Sequence, residues 1–480
     1  MSGTAGAGIR VYDARRRAKV PFEPVAPGRA GMYVCGMTVQ DKPHVGHMRY
    51  AVSTDAIRRY LESKGFVVTY VTNFTDIDDR IIARANEEGV PHGEVSERNI
   101  QAFLRYGEML NLEPATHYPR ATRHIPEITA LIARLIEKGN AYASNGDVYF
   151  DVRRWPRYGE LSGRNVDELR SGVRIEVGEA KRDPLDFTLW KGAKPGEPAW
   201  DSPWGPGRPG WHIECSAMAM RYLGEEFDFH GGGQDLIFPH HENEIAQSEA
   251  ATGRTFARYW IENGLVNLDG AKMSKSTKHF FSIEDVVARV EPEVVRFYLQ
   301  STHYRSPIEW NEERLEEAGI AYARLREALA RAERGGAAAP VQGQDLDATR
   351  LLQEISELRR QFGEAMDDDF NTARAQGHLF EIAKAINRVA DQSDAHPLER
   401  AALPVAGRHL RELGETIGLF WGAPPAEEAL PVEVQDLVRQ RVEARMQMQW
   451  GRADQLRDQI AALGYDLKDS KEGTKVRRRT

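Results

Sequence analysis

Two short β-branched runs, GMYVC (Gly31–Cys35) and FVVTYVT (Phe66–Thr72), flank a stretch from Arg49 to Lys64 in which Ala51, Ile57, Tyr60 and Leu61 recur at helical spacing. Gly65 follows, the residue that most cheaply takes the left-handed turn ending a helix. Strand, helix and strand at this separation form a βαβ unit. That predicts an α/β class with a parallel sheet and ligands at the carboxyl ends of its strands. Short apolar runs keep alternating with amphipathic stretches to about Gln300.

Beyond this unit the texture changes twice. Between Arg153 and Trp211 lies GAKPGEPAWDSPWGPGRPGW, too rich in Pro and Gly for a helix or a central strand. It predicts an ordered, aromatic-packed loop inserted in or bordering the nucleotide fold. From Asn311 onward the chain reads as helical, with Leu315, Ile320, Leu325 and Leu329 as apolar positions. A linker, ERGGAAAPVQGQD, leads to a further helical segment from Leu346 to Phe420. WGAPPAEEALP then precedes a short module from about Val432 to Thr480. At 480 residues, about three domains are expected.

Composition excludes several classes. Hydrophobic residues make up 41% and charged residues 28%, a globular balance. No stretch approaches the roughly 18 apolar residues of a membrane helix. The opening MSGTAGAGIRVYDARRRAK lacks the apolar core of a secretory signal, so a cytoplasmic location is expected. Two cysteines, Cys35 and Cys215, cannot make a disulfide framework and suggest free thiols or a metal. The net charge of −8 argues against non-specific coating of nucleic acid, but leaves room for a selective RNA partner. Basic patches at Arg15, Arg16, Arg17 and Lys19, and at Lys475, Arg477, Arg478 and Arg479, suit either such a partner or plain solvation.

Two motifs carry phosphate chemistry. HVGH, His44–His47, falls after the first strand and before the first helix, where free amides and the helix dipole favour an anion. Two imidazoles there can donate to a phosphoryl group as its charge grows, and Gly46 permits close approach of a nucleotide ring. KMSKS, Lys272–Ser276, follows an Asp269-Gly270 turn and offers two mobile ammonium groups to a polyphosphate; a solvated basic loop would read the same in isolation.

Together HVGH and KMSKS resemble the two signatures of class I aminoacyl-tRNA synthetases. The flanking blocks GMYVCGMTVQ, NFTDIDD, GWHIECSAM, HGGGQDLIFPHHENE and MDDDFNT are similar to the cysteinyl-tRNA synthetase family in particular. The likeness spans nearly the whole chain. Val45 stands where the family has Ile, and Gln40 and Pro43 depart from its usual loop. The resemblance implies a class I Rossmann-type parallel-sheet catalytic domain over 1–310, with a connective segment inserted at about 120–210 and a lysine-loop and stem-contact region over 260–310. A helical bundle over 311–425 and a small anticodon-binding module over 432–480 would follow.

The family likeness also marks a metal site. His240 and Glu244 share a helical face at i, i+4, but with Cys35 and Cys215 so distant in sequence, spacing alone does not indicate zinc. The resemblance implies these four as ligands of one zinc ion, with His241 as the rival of His240. Zinc prefers soft thiolate, so it would separate cysteine from serine where pocket shape discriminates poorly. By the same resemblance, Thr75, Trp211 and His230 line the cysteine pocket. Asp235 joins His44, Gly46, His47, Lys272, Ser274 and Lys275 around ATP and its Mg²⁺, and Gly231, Gly232 and Gly233 let adenosine approach. Trp211 serves equally as core filling, and Asp76, Asp78 and Asp79 as the cap of a helix start.

The implied reaction forms cysteinyl-adenylate and passes cysteine to the 3′ end of tRNA(Cys). His44, His47, Lys272 and Lys275 stabilise charge, and the working unit is a monomer. In the terminal module, Arg445, Trp450 and Asp469 are the implied tRNA contacts, against a reading in which Trp450 is the core of a small hairpin. Two competing functions are a ligase that passes cysteine to an amino sugar and a non-catalytic, zinc-stabilised RNA-binding protein. The full terminal module disfavours the first, and the intact signatures disfavour the second.

Overall fold

The computed structural model describes residues 8–165, 181–268, 271–272, 282–335, 346–392, 395–422, 431–470 and 473–478. The chain forms two compact units, Met1–Gly422 and Ala423–Thr480.

The larger unit is built on four parallel strands: β1 (Arg29–Val34), β2 (Val67–Thr72), β3 (Phe227–Gly233) and β4 (Ala257–Asn263), in the order β4-β3-β1-β2. Helix α1 (Val45–Ser63) joins β1 to β2. The chain then returns through α2 (Trp211–Leu223) to β3 on the other flank of β1, and α3 (Glu242–Thr252) leads on to β4. Strand order therefore reverses between β1 and β3, and a crevice opens beyond their carboxyl ends. Met32, Tyr33 and Val34 are fully buried, because a parallel sheet is covered on both faces.

Helix α1 begins at Val45, earlier than the apolar spacing predicts. HVGH is thus not a loop ahead of the helix but its cap and first turn, a start that polar residues conceal from a hydrophobic reading. At the far end Gly65 takes φ +87° as expected.

Between β2 and β3 the insertion packs helix Ile125–Glu137 on an antiparallel sheet of Ala141–Ser144, Asp147–Phe150, Phe187–Gly192 and Gly207–Pro209. It has its own core, with Ile128, Ile132, Leu189 and Trp190 fully buried. The Pro/Gly/Trp-rich run is a loop that closes on an edge strand, where proline is tolerated, and Trp204 meets Trp190 edge to face.

Helices Glu312–Gly335, Arg350–Asp367, Thr372–Asp391 and Leu403–Thr416 belong to the same unit. In the first of them Leu315, Ala318, Tyr322, Leu325 and Leu329 form the buried stripe. Ile320, read as part of that face, is 56% exposed because it lies off the stripe. This helix extends to Gly335, into the stretch read as a linker; residues 336–345 lie outside the described residues.

The smaller unit pairs helices Val432–Met446 and Trp450–Ala462, followed by an antiparallel hairpin of Tyr465–Ser470 and Gly473–Arg478. The predicted basic tail is thus largely a strand. Ala444, Ala453 and Leu456 make the core, and Trp450 is 59% exposed, which removes the reading of it as core.

The first basic patch is divided: Arg15 and Lys19 tie the fold together, while Arg16 and Arg17 are exposed. Arg15 reaches buried Glu249 at 2.6 Å, Arg16 pairs with Asp13 at 3.2 Å, and Lys19 pairs with Asp368 at 2.7 Å.

Candidate active site and metal centre

His44 caps α1. Its Nδ1 accepts the Gly46 N–H at 3.0 Å, and His47 Nδ1 accepts the His44 N–H at 3.2 Å, a reciprocal capping box. With both Nδ1 atoms accepting, each neutral ring carries its proton on Nε2. The ring centroids are 3.8 Å apart. A Cβ on Gly46 would stand 2.8 Å from His44 Cε1, so the glycine seats the histidine ring itself. Both rings line a cleft of about 270 Å³ together with Cys35, Gly36, Gln40, Arg80, Trp211 and Asp235.

At the base of this cleft four donors converge from three elements. Cys35 follows β1, Cys215 sits on α2, His240 precedes α3, and Glu244 is in the first turn of α3. Cys35 Sγ lies 3.4 Å from His240 Nε2 and 3.2 Å from Glu244 Oε1, and His240 Nε2 lies 3.0 Å from the same oxygen. The donor atoms of Cys35, Cys215, His240 and Glu244 all fall within 4.8 Å of one another, and all four residues are buried. Tetrahedral zinc, with bonds of roughly 2.0–2.3 Å, holds its ligands about 3.3–3.8 Å apart, so this donor set fits with little adjustment.

His241 belongs to a second foursome with Cys35, His230 and Glu244. Its Nδ1 lies 2.8 Å from Glu262 Oε1, and burial lowers its pKa to about 3. Only the foursome with His240 contains both thiols.

The electrostatics mark a place made for positive charge. Burial opposes a proton on His240, but the Glu244 charge and hydrogen bonds with Cys215 and Glu244 lift its pKa to about 10. Burial likewise opposes a Cys215 thiolate, yet hydrogen bonds with Cys35 and His240 bring its pKa down to about 6. Burial raises Cys35. Glu244 is held well below the carboxylate range by His230 and His240 against the cost of burial.

The other predicted residues are distributed unevenly. Trp211 opens α2 at the cleft wall, its ring 4.5 Å from that of His240 and 5.7 Å from the Arg80 guanidinium. Asp235 is exposed at the cleft. Thr75 is buried, and its Oγ1 accepts from Asn73 Nδ2 at 3.4 Å. His230 is fully buried beneath the cleft, stacked 4.2 Å from Trp260, with Nε2 3.0 Å from Glu244 Oε2. A Cβ on Gly231 would meet the Ile261 carbonyl at 2.7 Å, and one on Gly232 would meet Leu236 at 2.9 Å. Those two glycines therefore make room for the protein, and only Gly233 borders the cleft. Asp78 caps helix Asp79–Glu88 through the Arg80 N–H, Asp79 pairs with Lys191 and Arg208, and Asp76 accepts from Thr122.

Ser274 and Lys275 lie outside the described residues; Lys272 is described only as strand backbone paired with Asn267, and Asp469 only as hairpin backbone paired with Thr474. Arg445 is half-buried in the last turn of its helix.

Sequence reasoning missed three neighbours. His212 is half-buried with Nδ1 2.9 Å from His240 Nδ1, Arg80 covers Trp211, and Asn73 holds its Oδ1 3.7 Å from Cys215 Sγ. For His212 a signal existed, namely a histidine beside Trp211 and three residues before Cys215.

Comparison with known proteins agrees with this layout. Residues 21–319 match the family described as tRNA synthetases class I (C) catalytic domain, residues 361–421 the DALR domain, and residues 427–477 the cysteinyl-tRNA ligase anticodon binding domain. A protein of Geobacter metallireducens named cysteine–tRNA ligase is 50% identical, covering 97% of this chain and 99% of its own. One of the same name from Methylococcus capsulatus is 49% identical over 98% of this chain and 100% of its own. Among solved structures, Mycobacterium tuberculosis methionyl-tRNA synthetase in complex with methionyl-adenylate superposes with a TM-score of 0.63 at 16% identity, covering 81% of this chain and 91% of that one. That likeness is one of fold. Among the described residues no helix is long and apolar enough to cross a membrane.

Proposed function

The chain belongs to the cysteine–tRNA ligase family of class I synthetases, and on that premise we propose how its own residues carry out the ligation. It is an ATP-dependent ligase joining cysteine to tRNA. The carboxylate of cysteine attacks the α-phosphorus of ATP, forming cysteinyl-adenylate and expelling pyrophosphate. A terminal ribose hydroxyl of the tRNA then attacks the acyl carbonyl, forming the ester and releasing AMP.

The observation that carries this reading is that the helix-capping histidines and Cys35 of the buried donor set border one cleft. His44 and His47 donate from Nε2 to the α-phosphoryl oxygens as their charge grows, aided by the amides at the start of α1. Lys272 and Lys275 add charge from the second motif, and Mg²⁺ enters with ATP. Cys35, Cys215, His240 and Glu244 would hold zinc, which when bound supplies a soft cation that a thiolate satisfies and a serine hydroxyl does not. Trp211 and Arg80 wall the cleft beside His240 and limit water. Thr75 and His230 act from beneath the pocket, and Asp235 meets the ribose.

In the division of labour, 1–310 is catalytic and contacts the tRNA stem from 260–310, 311–425 is a helical bundle, and 432–480 reads the anticodon, with Arg445, Trp450 and Asp469 as contacts. The working unit is a monomer, and two free buried thiols suit the reducing cytoplasm.

The test is charging of total tRNA with labelled cysteine, with serine as control, in ATP and Mg²⁺. Cysteinyl-tRNA without seryl-tRNA is expected. Adenylate formation without charging would overturn the assignment to tRNA and favour transfer to a small amine.

A further inference from the structure

The junction between the two helices of the smaller unit is built against local preference. Helix Val432–Met446 ends in a Schellman turn: Gln449 N–H donates to the Ala444 carbonyl at 2.8 Å, and Met448 N–H donates to the Arg445 carbonyl at 3.0 Å. This motif needs one residue in the left-handed region, where glycine sits without penalty. Here it is Met448, at φ +57°. The cost of a side chain at that position recovers nothing in the core, since Met448 is 76% exposed. Its neighbours at two-residue intervals behave alike: Met446 is 81% exposed and Trp450 59%. Three large apolar side chains thus project from one hydrogen-bonded turn, outside the small core that includes Ala444, Ala453 and Leu456. A strained residue retained for an exposed side chain points to function, not folding.

We propose that Met446, Met448 and Trp450 form a stacking platform for unpaired bases of an RNA loop. This rests on the tRNA-ligase reading and adds to it the two methionines as base contacts. Three observations choose RNA as the occupant. Residues 431–480 carry eleven Lys and Arg against eight Asp and Glu, positive within a chain of net charge −8. The segment also matches the anticodon-binding description over 427–477. Thioether and indole both rest favourably on aromatic faces, and neither requires a particular base. The platform therefore supplies affinity and holds the loop in place, leaving base identity to polar neighbours.

The strain gives the test a sign that a structural role cannot imitate. Met448→Gly relieves the left-handed strain while removing the contact. In the full chain its thermal midpoint is expected to stay equal or rise, while KM for tRNA rises about two- to tenfold. Met446→Ser is expected to raise the same KM with no loss of stability, and cysteine-dependent ATP–pyrophosphate exchange, which needs no tRNA, controls for an intact catalytic unit. A Met448→Gly protein that is less stable, or that charges tRNA with the wild-type KM, overturns the platform. Wild-type protein that exchanges pyrophosphate but charges no tRNA sinks the underlying reading instead, so the two failures are distinct.

Discussion

Replacing His212 by phenylalanine tests whether the cluster at Cys35 binds a metal through His240. His212 is half-buried, and desolvation together with the neighbouring His240 pushes its pKa well down, so its ring is neutral. Its Nδ1 lies 2.9 Å from His240 Nδ1, so one nitrogen must donate to the other. When His240 donates from Nδ1, its Nε2 lone pair faces Cys35 and Glu244. Phenylalanine keeps the ring volume and removes the acceptor. Without metal, and above about pH 10 where His240 is neutral, the ring avoids the loss by keeping its one proton on Nε2, where Glu244 accepts at 3.0 Å. With Nε2 on a metal it has no such escape, and a buried N–H is stranded at a cost of roughly 1–3 kcal/mol. That corresponds to about 5- to 150-fold in zinc affinity, in line with other outer-shell substitutions. Competition against a fluorescent chelator reads it directly, and unchanged affinity would refute the assignment of His240. The pH profile of the wild type gives a second readout. His240, lifted to about 10 against the cost of burial, and Cys35, raised by burial, both hold protons at neutral pH. Cys215 near 6 and Glu244 well below its usual range release almost none. Metal must displace two protons, so log affinity should climb by about two per pH unit between pH 7 and 9 and fall as pH drops. A flat profile would mean that other donors bind.

Three further outcomes are expected. His44→Asn keeps a good helix cap but removes the imidazole, so adenylate formation measured by pyrophosphate exchange should fall about 10²–10³-fold with an unchanged melting temperature; equal loss of stability would make the histidine structural. Arg296→Met takes from Asp55 the buried one of its two guanidinium partners, Arg59 remaining at 2.8 Å, and removes donors from the Leu110 and Ile417 carbonyls. It should cost roughly 3–5 kcal/mol in urea denaturation, partly restored by adding Asp55→Asn. Arg15→Gln breaks the pair with Glu249 and should lower stability by roughly 1–3 kcal/mol while leaving KM for tRNA unchanged; a raised KM would return that patch to RNA contact.

What could be read from the sequence followed the physics of periodicity. The βαβ unit was legible because buried β-branched runs and a helical stripe carry different periods, and Gly65 marks its own turn. The start of α1 was hidden because a capping box of two histidines has no apolar period. Ile320 misled because spacing of about five residues drifts off a helical stripe. Charge misled at Arg15, since a count of like residues says nothing about a buried Glu249 placed 234 positions away. The candidate metal donors came from the family likeness and not from spacing, for the same reason: they meet only after the chain crosses the sheet.

That crossing explains why Cys35 of the donor set and the capping histidines border one cleft. Cys35 is the first residue beyond β1, and its N–H donates to the Gly231 carbonyl of β3 at 2.9 Å, so its thiol is fixed by the two strands whose order reverses. The next residue, Gly36, donates to Asn73 Oδ1 at 2.9 Å, and any Cβ there would overlap the Asn73 backbone, so the end of β1 is also clamped to the residue that follows β2. Asn73 then stands 3.7 Å from Cys215 Sγ. One register of the parallel sheet thus sets both thiols before any metal arrives, and the same turn out of β1 carries the chain to His44 at the head of α1. Preorganisation on strands, not loops, keeps such donors within a few tenths of an ångström. It follows that a substitution which shifts the β1–β3 register should impair metal retention and adenylate formation together, whereas one confined to the α1 cap should affect the second alone.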